Sequence, residues 1–272
     1  MSFANKIVVV TGGASGIGRA LCIAFAKAGA CVVVTDIKGT RAVQQELSFP
    51  ERHLVIECDV TKPNDVSAMI QSVKHRYHKI DIYCSNAGIM VPSNPEDDSC
   101  TKHSLHDWQK IFQVNVFSHV IALRELKEEW ESGLGDGHFC VTASAAALLT
   151  MVGDASYGVS KAAVLSFCEH VAISHPRIHV HCLCPQAVDT PLIKVSKDQN
   201  AAMTDGVLSP EQVANMTLLG IQKNDFFIFP HTRVPTYFLR KAQDHARWLK
   251  GMQRLRNTLT QQSKHATNIS KL

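Results

Sequence analysis

Seven short, apolar, β-rich runs alternate along this chain with segments whose apolar residues recur at helical spacing. The runs cover residues 7–11, 31–35, 53–58, 80–85, 138–143, 178–184 and 226–229; the helical segments cover 18–28, 40–47, 63–75, 106–131, 157–174 and 209–222. Parallel strands need long crossovers, and a helix after each strand supplies one. Uninterrupted Ile7-Val8-Val9-Val10 suits a strand covered on both faces. The expected fold class is therefore α/β, a doubly wound parallel sheet of about seven strands flanked by helices. Helix starts carry chemical markers: Ser209 is placed as an N-cap, Pro210 as the first helical residue and Glu211 as a first-turn acid, while Asp65 follows Pro63. Residues 92–103, polar and rich in turn formers, read as a loop, and residues 191–206 read as a second loop placed to act as a lid.

At 272 residues, with 45% hydrophobic and 19% charged side chains, the chain has the make-up of an ordinary globular protein. Its first apolar run, residues 7–10, is far too short for a signal peptide or a membrane span. Eight of the nine cysteines lie in or beside apolar segments without paired spacing, so they read as core residues in a reducing compartment, and the expected location is the cytoplasm. His179, His181, Cys182 and Cys184 are close in sequence, but two-residue periodicity sends the histidines to one face of a strand and the cysteines to the other. No metal site is expected there. Charge is uneven: from residue 231 onward nine Lys/Arg stand against one acid, Asp244, giving +8, while the remainder, 19 basic against 23 acidic, carries −4. No nucleic-acid recognition motif accompanies the basic tail, so no nucleic-acid partner is expected.

Directly after the first strand stands Thr11-Gly12-Gly13-Ala14-Ser15-Gly16-Ile17-Gly18, leading into a helix pattern. Glycines there let the backbone turn sharply and approach a phosphate, and the helix N-terminus offers unpaired N–H groups to a pyrophosphate. Gly12, Ser15, Gly16, Ile17 and Gly18 are the expected contacts. Asp36 ends the second strand, 18 residues beyond Gly18, where a carboxylate can accept hydrogen bonds from the adenosine ribose hydroxyls and would repel a 2′-phosphate. That favours NAD over NADP, although Lys38 lies close by. Asp59, after the third strand, is placed either to hold an adenine amino group or simply to shape a turn. Asn86-Ala87-Gly88 ends the fourth strand, where the switch-point rule places a cofactor crevice.

Tyr157 and Lys161 sit at i and i+4, one turn apart on a helix face. A phenol with an ordinary pKa of about 10 is a poor proton carrier near neutrality unless a neighbouring cation favours the phenolate, and Lys161 is such a cation. Taken in order, the glycine loop, Asp59-Val60, Asn86-Ala87-Gly88, Asn115, Ser144 thirteen residues before Tyr157, Lys161, and Pro185 with Thr190 resemble the short-chain dehydrogenase/reductase family, of the common type of about 250 residues. The likeness covers residues 3–230. It implies a single Rossmann-type catalytic domain over residues 1–230, with the lid near 190–206, followed by a basic tail over 231–272. It also implies roles: Tyr157 as general acid/base, Lys161 lowering the phenol pKa and binding the nicotinamide ribose, Ser144 bonding the substrate oxygen, and Asn115 anchoring a water that passes protons to Lys161. Asp59, Val60, the Asn86–Gly88 backbone and Pro185 would line the cofactor site, and the Val188 N–H and Thr190 would hold the carboxamide. Ser144 as a helix cap and Asn115 as a local hydrogen-bonder are the plain rivals to these roles.

One departure stands out: the family usually has glycine after that proline, and this chain has Gln186. It bears on pocket shape rather than on hydride chemistry. The candidate substrate residues are Ser144, Leu149, Met151, Gln186 and Leu192, with Met203 in the lid; their apolar character points to a hydrophobic secondary alcohol or ketone, steroid-, retinoid- or acyl-like. In the tail, Leu239, Ala242, Ala246, Leu249 and Met252 keep helical spacing among basic residues, with Trp248 beside them. Such an amphipathic helix can pack on a partner subunit, cover its own cleft, or touch an anionic membrane as a peripheral contact. The family likeness implies a homodimer or homotetramer. The reading is an NAD-dependent oxidoreductase interconverting a secondary alcohol and a ketone; the alternatives are a non-catalytic nicotinamide-binding regulator and an NADPH-dependent carbonyl reductase.

Overall fold

The computed structural model describes residues 1–92, 99–133, 137–194 and 205–269. Most of the expected lid, including Met203, and the centre of the loop at 92–103 lie outside the described residues. Among the described residues, strands β1 (Ile7–Thr11), β2 (Cys31–Asp36), β3 (Leu54–Glu57), β4 (Ile82–Ser85), β5 (Gly137–Thr142), β6 (Ile178–Leu183) and β7 (Phe227–Ile228) pair in parallel as one sheet. Their order is β3-β2-β1-β4-β5-β6-β7. Helices α1 (Gly16–Lys27), α2 (Thr40–Glu46) and α3 (Pro63–Tyr77) follow the first three strands. This is the Rossmann-type architecture expected from the alternation.

The unbroken valine run works as two interleaved faces. Ile7 and Val9 enter one core with Met69, Leu126 and Phe139, while Val8 and Val10 enter the other with Leu21, Phe25 and Val34. Val8, Val9 and Val10 are fully buried, each contributing roughly 1.5–3 kcal/mol of apolar transfer energy. β6 splits as its period requires, with Ile178, Val180, Cys182 and Cys184 in one core and Leu183 in the other. On the Leu183 side His181 Nε2 lies 2.9 Å from His138 Nδ1, and the His138 ring stacks on His179. These imidazoles bond one another, and no group of three or more potential metal-holding residues occurs among the described residues.

The segment expected as one helix over 106–131 is interrupted. α4 (Leu105–Phe112) ends in a π turn over Gln113–Phe117, and α5 (Ser118–Glu131) continues from it. Ser104 starts α4 with a capping box to Asp107. The π turn accommodates one extra residue in the helical ladder and coincides with Asn115, whose amide bonds outside its own helix. A five-residue helix, α6 (Ala145–Leu149), went unforeseen between β5 and α7 (Ala155–Ser174), and α8 (Pro210–Lys223) leads to β7.

The tail differs from a single amphipathic helix. It forms α9 (Val234–Gln243) and α10 (His245–Ile269), divided at Asp244. Asp244 Oδ1 accepts the Arg247 N–H at 2.9 Å, so the lone acid of the tail caps α10 and turns the chain. Leu239 and Leu249, part of the expected apolar stripe, are consequently exposed.

Candidate active site

The strand order reverses between β1 and β4, and the crevice opens at the C-terminal ends of the strands. The glycine loop enters α1 there. Gly12 and Gly16 hold φ of +65° and +52°, conformations strained for any side chain, and a Cβ on Gly18 would collide with the Gly12 carbonyl oxygen. Ser15 is the N-cap of α1 yet makes no side-chain cap bond, and the first turn holds no acid. The first-turn N–H groups and the positive end of the helix are thus left for an anion.

Asp36 is braced beside this loop: Oδ2 accepts the Ala14 N–H at 3.1 Å and Oδ1 accepts the Ile37 N–H at 2.7 Å. Asp59 does shape a turn, Oδ1 accepting from the Thr61 hydroxyl at 2.7 Å and the Thr61 N–H at 3.0 Å. Those bonds, with Lys62 nearby, hold its carboxyl below the ordinary value. Asn86 ties three strand ends together, donating from Nδ2 to the Thr11 carbonyl at 2.9 Å and accepting from the Thr142 hydroxyl at 3.0 Å. Gly12, Ser15, Gly16, Ile17, Asp36, Asp59, Val60, Asn86, Ala87 and Gly88 line one cavity of about 1070 Å³. Pro185, Val188 and Thr190 join them from the segment after β6. Glycines at the turn, uncapped amides and a carboxylate at the β2 end fit a dinucleotide.

α7 delivers the chemistry to the same cavity. Asp154 caps it, accepting the Tyr157 N–H at 2.9 Å. Tyr157 and Lys161 are 8% and 3% exposed, so their face of the helix is no solvated surface. Lys161 Nζ donates to the Thr142 carbonyl at 2.7 Å and stands 5.7 Å from the Tyr157 ring centre. Burial is the largest influence on the Tyr157 phenol and pushes it up to about 12, while a hydrogen bond with Ser144 works in the opposite direction. Burial also pushes the Lys161 ammonium down to about 8. Ser144 serves two ends at once: its Oγ caps α6 by accepting the Ala146 N–H at 3.1 Å, and the same hydroxyl reaches the phenol.

Asn115 is fully buried and does not line the cavity. Its Oδ1 accepts the Ile89 N–H at 2.8 Å, and its Nδ2 donates to the Ile89 carbonyl at 3.0 Å and to Ser160 Oγ at 3.1 Å. A Cβ on Gly88 would touch both Asn115 Oδ1 and Lys161 Nζ at 3.5 Å, so the asparagine stands directly behind the lysine. Gly18 likewise lies behind the cavity rather than in its wall.

A family model described as short chain dehydrogenase matches residues 6–201. The chain belongs to that family. A 1-deoxy-11-beta-hydroxypentalenate dehydrogenase from Streptomyces arenae is 30% identical over 240 residues, covering 85% of this chain and 84% of the relative. An NAD-dependent glycerol dehydrogenase from Listeria innocua is 30% identical over 79% of this chain and 85% of its own. The solved short chain dehydrogenase/reductase from Burkholderia phymatum, in complex with NAD, superposes with a TM-score of 0.77 at 22% identity over 90% and 95% of the two chains. This short-chain dehydrogenase is an oxidoreductase that acts on CH–OH groups with NAD(P).

On the substrate side of the dehydrogenase, Ser144, Leu149, Met151, Gln186 and Leu192 all line the cavity, as the sequence led us to expect. Gln186 donates its N–H to His231 Nδ1 at 3.1 Å, and its Oε1 is buried without a hydrogen-bond partner among the described residues. The sequence left the tail's covering of the cleft as one option among three; Tyr237, Arg240, Trp248, Met252 and Leu255 of the tail close the cavity's far wall. Lys241 Nζ fastens α9 to this wall, donating to the Leu148 carbonyl at 2.6 Å and Thr150 Oγ1 at 3.1 Å. Thr150 is held at φ +65°, costly for a β-branched residue. The signal was present in Asp244, a helix-capping residue set between two basic stretches. Among the described residues no helix is long and apolar enough to cross a membrane.

Proposed function

We propose that this dehydrogenase oxidises a secondary hydroxyl of an apolar small molecule and prefers NAD. The observation that carries the reading is the buried Tyr157–Ser144 hydroxyl pair opening onto a cavity whose remaining wall is largely Leu149, Met151, Leu192, Met252 and Leu255. Tyr157 takes the proton from the substrate oxygen, and Ser144 holds that oxygen while its charge changes. Lys161, as a cation beside the phenol, favours the phenolate that must receive the proton. Asn115, locked to Ile89 and Ser160, supports the backbone behind Lys161. Bound NAD supplies the nicotinamide carbon that accepts the hydride. Asp36 supports NAD because its carboxylate, fixed beside the loop, would meet a 2′-phosphate with like charge. The Streptomyces relative, named for a hydroxypentalenate, supports a hydroxylated small molecule as substrate. Phe117, Val159 and Ile173, exposed on the π turn and α7, support assembly into a homo-oligomer through these helices.

A panel of hydrophobic secondary alcohols, followed by absorbance of the reduced nicotinamide with NAD and NADP in parallel, tests the reading. Turnover with NAD is expected, at a kcat/KM at least about tenfold above that with NADP, and Tyr157→Phe is expected to cut it by about 100-fold or more while leaving the thermal midpoint in place. Undiminished turnover in that variant would remove Tyr157 from the reaction.

A further inference from the structure

The cavity wall contributed by the tail is apolar except for one unpaired charge. Tyr237, Arg240 and Lys241 follow one another along α9, and two of the three are committed: the Tyr237 hydroxyl donates to Asp205 Oδ1 at 3.0 Å, and Lys241 is bonded to Leu148 and Thr150. The helix is therefore pinned on both sides of Arg240. The Arg240 side chain makes no ion pair or hydrogen bond among the described residues, yet it lines the cavity with Leu149, Met252 and Leu255. The acids lining the cavity are Asp36, the last residue of β2, and Asp59, just past β3, both engaged by neighbouring backbone or side-chain groups. Two further cations line the cavity: Lys161, bonded to the Thr142 carbonyl beside Tyr157, and Lys110 of α4. The adenosine side is thus acidic, and the tail side carries the exposed guanidinium of Arg240.

We propose that Arg240 is a specificity residue that binds a carboxylate on the substrate, so that the natural substrate is an apolar hydroxy acid rather than a neutral alcohol. The proposal rests on reading this cavity as the substrate site. A guanidinium offers a planar fork that matches a carboxylate with two parallel hydrogen bonds. Arg240 is itself exposed, so the match of fork to carboxylate rather than burial would give the pair its strength, and the increment is modest. Substrate orientation would follow, with the hydroxyl at Tyr157 and Ser144 and the acid group at α9.

The test is calorimetric titration of the NAD-loaded protein with 1-naphthaleneacetate and with 1-naphthaleneacetamide, which share an apolar body and differ in charge. Wild type is expected to bind the acid about tenfold more tightly than the amide, an increment of about 1.4 kcal/mol, and Arg240→Gln to bring the ratio close to one. Equal binding of the two by wild type, or binding of neither, overturns the proposal. So does a lost ratio in Lys110→Gln with the ratio kept in Arg240→Gln, or a drop in NAD affinity in Arg240→Gln, which would place the guanidinium at the cofactor. Tyr157→Phe is expected to keep the acid-over-amide ratio, because the ratio reads binding alone. Failure of the proton-transfer role therefore shows in turnover, and failure of the carboxylate assignment shows in the ratio.

Discussion

In the proposed reaction Tyr157 takes a proton from the alcohol as a phenolate, and its burial opposes that state. With the phenol pushed up to about 12, only a small ionised fraction exists near neutrality, and that fraction grows as pH rises. Lys161, pushed down to about 8, keeps its supporting charge below that pH and loses it above. Alcohol oxidation is therefore expected to speed up between pH 6.5 and about 8 and to level off beyond, while ketone reduction, which needs the protonated phenol, stays flat over the same range because the phenol remains protonated there; kcat/KM measured in both directions checks this. A flat oxidation profile would contradict it. The tyrosine and the lysine were legible from their spacing alone, because a helix places i and i+4 on one face. Their burial was not, since it depends on β5 and β6 packing over that face. Asp59 shows the converse: it braces its turn and also lines the cavity, a double placement that sequence had no means of foreseeing.

At the scale of elements, strands and helices appear where apolar periodicity placed them, to within a few residues at their ends. The exceptions have identifiable causes. The π turn at Gln113–Phe117 follows from Asn115 exchanging two hydrogen bonds with Ile89, a contact 26 residues away in sequence. α6 is five residues long, too short to show a period, and depends on the Ser144 cap and the Lys241 contact at its other end. Close packing between elements also singles out Gly137 at the start of β5, where a Cβ would fall within the Trp130 ring. Trp130 is 2% exposed and donates to the Ile80 carbonyl at 2.8 Å, so it has little freedom to retreat. Gly137→Ala is expected to destabilise the protein by about 1–3 kcal/mol through overpacking, read as a lower urea midpoint. Since Trp130 and the active site lie at opposite ends of β5, NAD affinity should persist below that midpoint; an unaltered midpoint would show that the indole can move.

For the whole molecule, buried histidines set an acid limit. Burial lowers the pKa of His119 and His138 to about 3, and also lowers His53, His181 and His231. In the unfolded chain these groups take up protons near the ordinary value of about 6.5, so the unfolded state binds more protons below that pH. Stability is thus fully present above about pH 6.5 and falls as pH drops towards 3, by about 1.4 kcal/mol per unit for each fully shifted histidine. Between pH 7.5 and 5, His119 and His138 together should cost about 4 kcal/mol, visible as a falling urea midpoint, and the fall should shrink in His119→Asn. A midpoint unchanged down to pH 5 would contradict this.

Local pattern was enough to determine the sheet, its flanking helices, the dinucleotide loop and the order of the reacting residues, because each of these is encoded within a few turns of chain. Only tertiary structure decided where the basic tail packs within the chain. Charge and spacing left membrane, partner and cleft open, and the stripe Leu239–Leu249 pointed to a face that is in fact exposed. Asp244 breaks the helix, Lys241 and Tyr237 anchor it to α6 and Asp205, and the tail closes the cavity above Tyr157. Contacts spanning more than 90 residues, such as Lys241 to Leu148, have no periodic trace in a sequence.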